Sequence, residues 1–243
     1  MCFCPYLSAP AVGRDAQPED IIMTLKEAIV LRHSVRKYLD KPIEAPAREA
    51  MNRLAAECNA ESGLHIQIIY DDSTCFPALL AHFGMFRNAK NYIALVGKSS
   101  VPDLSGICGY YGQRLVLAAQ QQGLNTCWIG GSYKKKKTAA EIAADEELIC
   151  IIALGYGETQ GSPRRSKPME ALCNVADADM PAWFRHGVMA AQLAPTAMNQ
   201  QKFYITLEGD TVTVTETKKN AMSAIDRGIV RYQFEAGSGH RCF

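Results

Sequence analysis

Apolar and polar positions along this chain follow two periods, and the period switches several times. Leu25, Ala28 and Ile29 recur at helical spacing within residues 24–31, and Ala50, Met51 and Leu54 do so within 45–56. Thr24 followed three residues later by Glu27 forms a capping box at the first of these helices. Residues 65–70 alternate as a strand, and 92–97 is a short apolar run expected as a buried strand. The strongest helical pattern is 110–122, where Leu115, Ala118 and Ala119 share a face and Gly123 follows as a stop signal. Buried strands are expected at 125–129 and 149–155, with a short helix at 139–144 between them. The stretch 155–168 is loop-like, with Gly155, Gly157, Gly161, Pro163 and Pro168. A helix follows at 181–193. Residues 204–207 and 211–217 alternate around Glu208-Gly209-Asp210 and predict a hairpin, and 221–235 is a last amphipathic helix burying Ile225, Ile229, Tyr232 and Phe234. This interleaving predicts an α+β three-layer sandwich around a mixed sheet rather than a purely parallel one.

Composition narrows the function classes. The 243 residues are 48% apolar and 21% charged with a formal net charge of +1, an ordinary globular balance. No basic excess argues for nucleic acid, and no run approaches the roughly 18 apolar residues of a membrane span. The nine cysteines are odd in number and scattered, without C-x-x-C spacing. They are expected to be reduced thiols in a cytoplasmic protein, with Cys127 and Cys150 acting as small core residues. Residues 1–22 carry Pro5, Pro10 and Pro18 without a sustained period, and are expected to be a disordered extension ahead of a candidate native start at Met23. His82, His186 and His240 have no metal-ligand spacing, so no metal site is expected. The run Lys134 to Lys137 reads as a solvated face, and no dinucleotide glycine fingerprint is present.

The candidate chemistry sits in two distant stretches. Arg32-His33-Ser34-Val35-Arg36 packs two guanidinium groups, an imidazole and a hydroxyl into five residues, a dense donor set for an anionic ligand. Ala194-Pro195-Thr196-Ala197-Met198-Asn199-Gln200-Gln201 supplies amide and hydroxyl groups far along the chain. Two further segments complete the pattern: Gly109 to Gln113 with Leu124 to Gly131, and Gly155-Tyr156-Gly157 with Arg164-Arg165-Ser166-Lys167-Pro168.

Together these four segments resemble the FMN-dependent nitroreductase family: its R-x-S-x-R/K opening, its central helix and strand, its G-Y…K-P tail and its A-P-S-x-x-N-x-Q motif. The resemblance implies a three-layer α-β-α sandwich around a mixed, mainly antiparallel sheet, and FMN as cofactor. It assigns Arg32 and Ser34 to the phosphate, with His33 beside them, and Arg36 to the N1/O2 edge, where a cation favours hydride acceptance. Arg164 and Arg165 are both further phosphate candidates. Ile129, Gly130 and Gly131 would face the flavin N5 with backbone N–H groups. Pro195, Thr196, Ala197, Met198, Asn199 and Gln201 would form the opposite wall. No catalytic side chain is required, because the cofactor carries the chemistry.

The chain departs from the family in the order of its motifs. The slot after the first motif holds Glu57 to His65, and the A-P-S-like motif appears instead 165 residues from Ser34, at Asn199. This order resembles a compact single-chain subgroup of nitroreductases. It implies an internal pseudo-dimer, with 23–168 as a first half and 169–243 as a second half completing one flavin site. A monomer is expected, with a homodimer as the alternative. The implied activity is hydride transfer from NADH or NADPH to FMN and on to a small electron-poor acceptor such as a nitroaromatic or quinone. The alternative is a non-catalytic flavin binder in storage or sensing. Neither nucleic acid nor membrane is an expected partner. Loops around 76–86 and 101–108 are expected to shape the acceptor side.

Overall fold

The computed structural model describes residues 23–76 and 86–243, so the expectations for 1–22 and His82 lie outside the described residues. The first helix, α1 (Leu25–Leu31), starts with the predicted capping box. Thr24 Oγ1 accepts from the Glu27 amide at 3.2 Å, and the Glu27 carboxylate accepts from the Thr24 amide at 2.7 Å. Helix α2 (Ala45–Ser62) runs six residues past its predicted end and stops at Gly63, whose φ of 72° closes it. The added turns carry Glu57 and Glu61 to Arg114.

Strands β1 (Gln67–Ile69), β2 (Asn91–Lys98), β3 (Asn125–Ile129) and β4 (Glu146–Gly155) form one sheet in the order β1-β2-β4-β3, every ladder antiparallel. The parallel component is confined to isolated bridges such as Ser34 with Thr126. The central strands β2 and β4 read as continuous apolar runs because both of their faces are covered. Ile93 and Leu95 join Ile152 and Leu154 in the core beneath α2 and helix α3 (Leu104–Gln121). The alternate residues Tyr92, Ala94 and Val96 pack with Ile151 and Ala153 against Val35, Tyr38, Cys75, Phe86 and Ala89. The fold is α+β, as expected.

The rest of the chain folds back onto the first core. Helix α4 (Ala182–Gln192), the hairpin β5 (Phe203–Glu208) with β6 (Thr211–Glu216), and helix α5 (Ser223–Ser238) contribute Phe184, Phe203, Ile205, Val212, Ile225, Ile229 and Phe234 to the same buried cluster as Leu115 and Leu154. Helix α5 packs on α3 through glycines. A Cβ on Gly228 would overlap the Gly106 carbonyl, and one on Gly109 would overlap the Ile225 carbonyl. The two backbones therefore meet with no side chain between them.

The predicted helix at 139–144 does not form. Its amides are taken by side chains from other elements: Ala139 N–H donates to the Tyr92 hydroxyl at 2.7 Å, Glu141 N–H to Gln67 Oε1 at 2.8 Å and Ala143 N–H to Glu146 Oε2 at 2.9 Å. Tertiary partners outbid an intrinsically favourable but short helix. A short 3₁₀ turn occurs earlier, at Lys135–Lys137. No helix among the described residues is long and apolar enough to cross a membrane.

The close helix crossing generates a stability prediction. Gly228→Ala forces α5 away from α3 and should cost at least 1–3 kcal/mol, on the order of an overpacked core. Urea unfolding followed by circular dichroism should show a lower midpoint, and an unchanged midpoint would contradict the crossing as described.

Candidate functional site

The first basic segment is aligned by the sheet. Val35 N–H donates to the Thr126 carbonyl at 3.0 Å, and Ser34 bridges Thr126, so residues 32–36 lie alongside β3. The Tyr38 hydroxyl, buried beneath the same segment, donates back to the Val35 carbonyl at 2.7 Å. Strand β3 ends at Ile129 and delivers Gly130 and Gly131 beside Ser34 and Arg36.

Opposite them stands the segment after α4. Ser34, Arg36, Ile129, Gly130, Gly131, Pro195, Thr196, Ala197 and Met198 line one cleft of about 560 Å³, within the roughly 300–1,000 Å³ of small-molecule and cofactor sites. Stretches more than 150 residues apart in sequence therefore share a single cavity within one chain. Its floor and far side come from Phe86, Cys127, Trp128, Ser132 and Cys150, and from Met222, Ile225, Asp226 and Ile229 of α5 and the residue before it.

The segment 195–201 is held in an unusual shape. Met198, Asn199 and Gln201 have φ of 52°, 53° and 47°, a left-handed region that non-glycine residues rarely occupy. Such conformations cost about 1–3 kcal/mol each and persist where surrounding contacts fix them. Here Thr196 Oγ1 accepts from the Gln201 amide at 3.1 Å, the Thr196 carbonyl from the Asn199 amide at 2.9 Å, and the Asp226 carboxylate from the Ala197 amide at 2.9 and 3.1 Å. The turn leaves Met198 at the cleft rim, 89% exposed.

The other candidates lie behind or beside the cleft. Arg32 is 2% exposed, and its guanidinium donates to the Leu193 carbonyl at 3.1 Å. Arg164 donates to the same carbonyl at 2.9 Å, and burial pulls its guanidinium below the ordinary arginine range. Two cations thus share one oxygen at the C-terminal end of α4, two residues ahead of Pro195. Neither pairs with a carboxylate among the described residues, and Arg32 Nε is buried without a partner. A helix C-terminus offers only a partial negative charge to this pair. Arg165 is exposed, and its carbonyl accepts from Asn199 Nδ2 at 2.7 Å. His33 packs beside Gly161, with Nδ1 2.8 Å from the Leu31 carbonyl, and does not line the cleft.

Asn199 and Gln201 are not cleft-lining residues either. Gln201 is buried and works as a clasp. Its Oε1 accepts from the Lys167 amide at 2.6 Å, its Nε2 donates to the Gln192 carbonyl at 2.9 Å, and its own carbonyl accepts from Lys167 Nζ at 2.8 Å. Asn199 points its amide group at Arg165 and keeps a buried, unpartnered Oδ1.

The residue that sequence reasoning missed is Asp226. It is 8% exposed, and burial pushes its carboxyl up to about 6; Glu216 adds to this, while the Ala197 N–H and Lys202 oppose it. Its signal was present. Met222, Ile225, Asp226 and Ile229 follow i, i+3, i+4, i+7 spacing, so an acid sits within an apolar helical stripe. Among the described residues, no group of three His, Cys, Asp or Glu side chains could hold a metal ion.

A family model described as "Putative TM nitroreductase" matches residues 24–238. The chain belongs to this nitroreductase family. Among solved structures, a putative nitroreductase from Thermotoga maritima aligns with TM-score 0.67 and 20% identity, covering 93% of this chain and 88% of its own. A putative nitroreductase in complex with FMN from Desulfovibrio desulfuricans aligns at TM-score 0.48 and 22% identity over 61% of this chain and 94% of its own. A putative NADH dehydrogenase/NAD(P)H nitroreductase from Bacteroides thetaiotaomicron gives 0.48 and 22% over 61% and 95%. No curated protein matches the chain. The nitroreductase assignment makes this chain an oxidoreductase.

The raised Asp226 carboxyl sets a pH dependence of stability. The native state binds a proton more tightly than an unfolded Asp near 3.8, so ionisation costs stability as pH rises from about 4 through about 6. Asp226→Asn should keep the bond from Ala197 N–H and remove that cost. Above about pH 7 it should be more stable than wild type by on the order of 2–3 kcal/mol, and the gap should vanish below about pH 4. Denaturant titrations at both pH values measure it.

Proposed function

We propose that this nitroreductase-family chain is an FMN-dependent reductase that takes hydride from NADH or NADPH and passes it to a small, flat, electron-poor acceptor such as a nitroaromatic or quinone. One observation carries this reading: the basic segment at Ser34 and Arg36 and the segment Pro195 to Met198 face each other across the same cleft, with Gly130 and Gly131 between them. On this reading, 23–168 and 169–243 are two halves of one flavin site. A flavin-loaded monomer follows, and a homodimer with flavin only in the dimer would oppose it in size-exclusion with light scattering. Among the described residues the seven free cysteines are all buried, which fits a reducing, cytoplasmic setting.

The residues fit the cofactor's needs. FMN brings a phosphate dianion, and Arg32 with Arg164 forms an uncompensated, largely buried cation pair whose orphaned Nε calls for an anion. Arg164 takes this role rather than Arg165, whose side chain lies in solvent. Arg36, on the cleft wall and without an ion pair to any described carboxylate, would sit at the N1/O2 edge. The backbone at Gly131 is open to close approach, since a Cβ there would meet nothing, while the Met222 side chain packs against Gly130. Ser34 and Thr196 add hydroxyl donors, and Asn199 Oδ1 is a spare acceptor behind the wall. When bound, FMN supplies the two-electron chemistry of accepting and releasing hydride. Apolar Ile129, Met222, Ile225 and Ile229 exclude water from one side of the cleft, and Met198 caps its rim.

The purified protein should be yellow and release FMN on denaturation. Arg32→Ala and Arg164→Ala should each weaken FMN binding about 10- to 100-fold, on the order of 1.5–3 kcal/mol for a lost charged hydrogen bond. Arg165→Ala should leave the affinity unchanged. In anaerobic stopped-flow, rapid bleaching of the bound flavin by NADH or NADPH identifies a reductase, whereas a flavin that stays oxidised identifies a storage or sensing protein.

A further inference from the structure

Hydride transfer to a quinone oxygen leaves a proton still to be supplied. When one carbonyl oxygen of a quinone takes a hydrogen with its electron pair, the opposite oxygen becomes an anion and requires a proton. Few groups in the cleft can deliver one. The hydroxyls of Ser34, Ser132 and Thr196 do not titrate near neutrality. Burial pushes the Cys127 and Cys150 thiols upward, away from proton exchange near neutrality.

Asp226 is different in place and chemistry. It is the carboxyl among the described cleft-lining residues, set on α5 amid Met222, Ile225 and Ile229. The Ala197 N–H, 2.9 and 3.1 Å from its two oxygens, fixes the plane of the group and engages only part of its hydrogen-bonding capacity. That amide belongs to the segment Pro195 to Met198, so the carboxyl is anchored to the wall that this segment forms. We propose that Asp226 is the proton donor of this cleft, which rests on the flavin reading.

The step balances. With bound FMN as the hydride source, one quinone oxygen would gain the hydride, the O–H bond of the Asp226 carboxyl would break, and its proton would neutralise the second oxygen to give hydroquinone. Asp226 is left as a carboxylate and is reprotonated by water. The charged surroundings keep both forms within reach. Glu216 on β6 and burial favour the protonated acid, while Lys202 ahead of β5 and the Ala197 N–H favour the anion. Arg227, the next residue on α5, is drawn to Asp103 and to Glu216 at 3.4 Å, and Arg36 stands on the far wall. A carboxyl near 6 lies close to the operating range that general acid catalysis favours.

The test follows reoxidation of the NADH-reduced holoprotein by a quinone across pH, with ferricyanide as an acceptor that takes electrons without protons. Wild type should lose quinone rate above the Asp226 transition, by about tenfold per pH unit, and show no such limb with ferricyanide. Asp226→Asn should be slow and flat with the quinone yet normal with ferricyanide, and Asp226→Glu should restore the limb. Infrared spectra of the flavin-free protein should show a protonated carboxyl band that disappears across the same transition and is missing in Asp226→Asn. A quinone limb that survives in Asp226→Asn, or the absence of that band, overturns the proposal. Should Asp226→Asn fail to fold, parallel wild-type profiles for the two acceptors overturn it equally. A protein that takes up no FMN defeats the functional reading and this proposal together. Flavin that binds and bleaches normally beside an unaltered Asp226→Asn quinone profile defeats this proposal alone.

Discussion

The contact on which the architecture depends is the side-chain-free crossing of α3 and α5. Gly109 on one helix and Gly228 on the other let two backbones approach where either Cβ would overlap a carbonyl of the facing helix. That approach fixes the rotation of α5. With its glycine face set against α3, the helix turns Ile225, Ile229 and Phe234 into the main core, and the same rotation brings Met222 and Asp226 to the cleft. Gly187 continues the theme on α4, where the Phe234 ring occupies the space a side chain would need. Packing at native density transmits position: a helix that cannot slide holds its functional edge in place.

Electrostatics then finishes what packing begins. The carbonyl of Leu193 draws Arg32 from the start of the chain and Arg164 from the long loop, and two residues later the backbone enters the cleft at Pro195. Gln201 ties the other end of the same segment to residues 167 and 192. Between these two knots lie Met198 and Asn199, in conformations that free chains avoid. Strain of this kind survives only where surrounding contacts fix it, and in this segment it sets Met198 at the cleft rim.

The sequence carried this molecule unevenly. Periodicity exposed the central strands, because β2 and β4 are buried on both faces and therefore contain few polar residues. The capping box, the hairpin and the last helix were also legible, since local chemistry determines each of them. The helix expected at 139–144 does not form because Tyr92, Gln67 and Glu146 claim its amides; Glu146 is a near neighbour, but no window of sequence shows Tyr92 and Gln67, which lie dozens of residues away. The motif at 194–201 is legible as a polar segment, but residue type alone does not say which of its side chains face the cleft. Gln201 has the chemistry of a ligand contact, yet tertiary structure uses it as an internal brace. Asp226 escaped for the opposite reason. Its helix presents an apolar stripe, and nothing local distinguishes a buried acid within it from a solvated one.

Housing both walls of the cleft in one polypeptide also changes what evolution can do with them. Here Ser34 and Arg36 lie on one wall and Thr196 and Ala197 on the other, each encoded separately. The two sides are written at separate positions of the chain, so a substitution in one leaves the residues of the other unchanged.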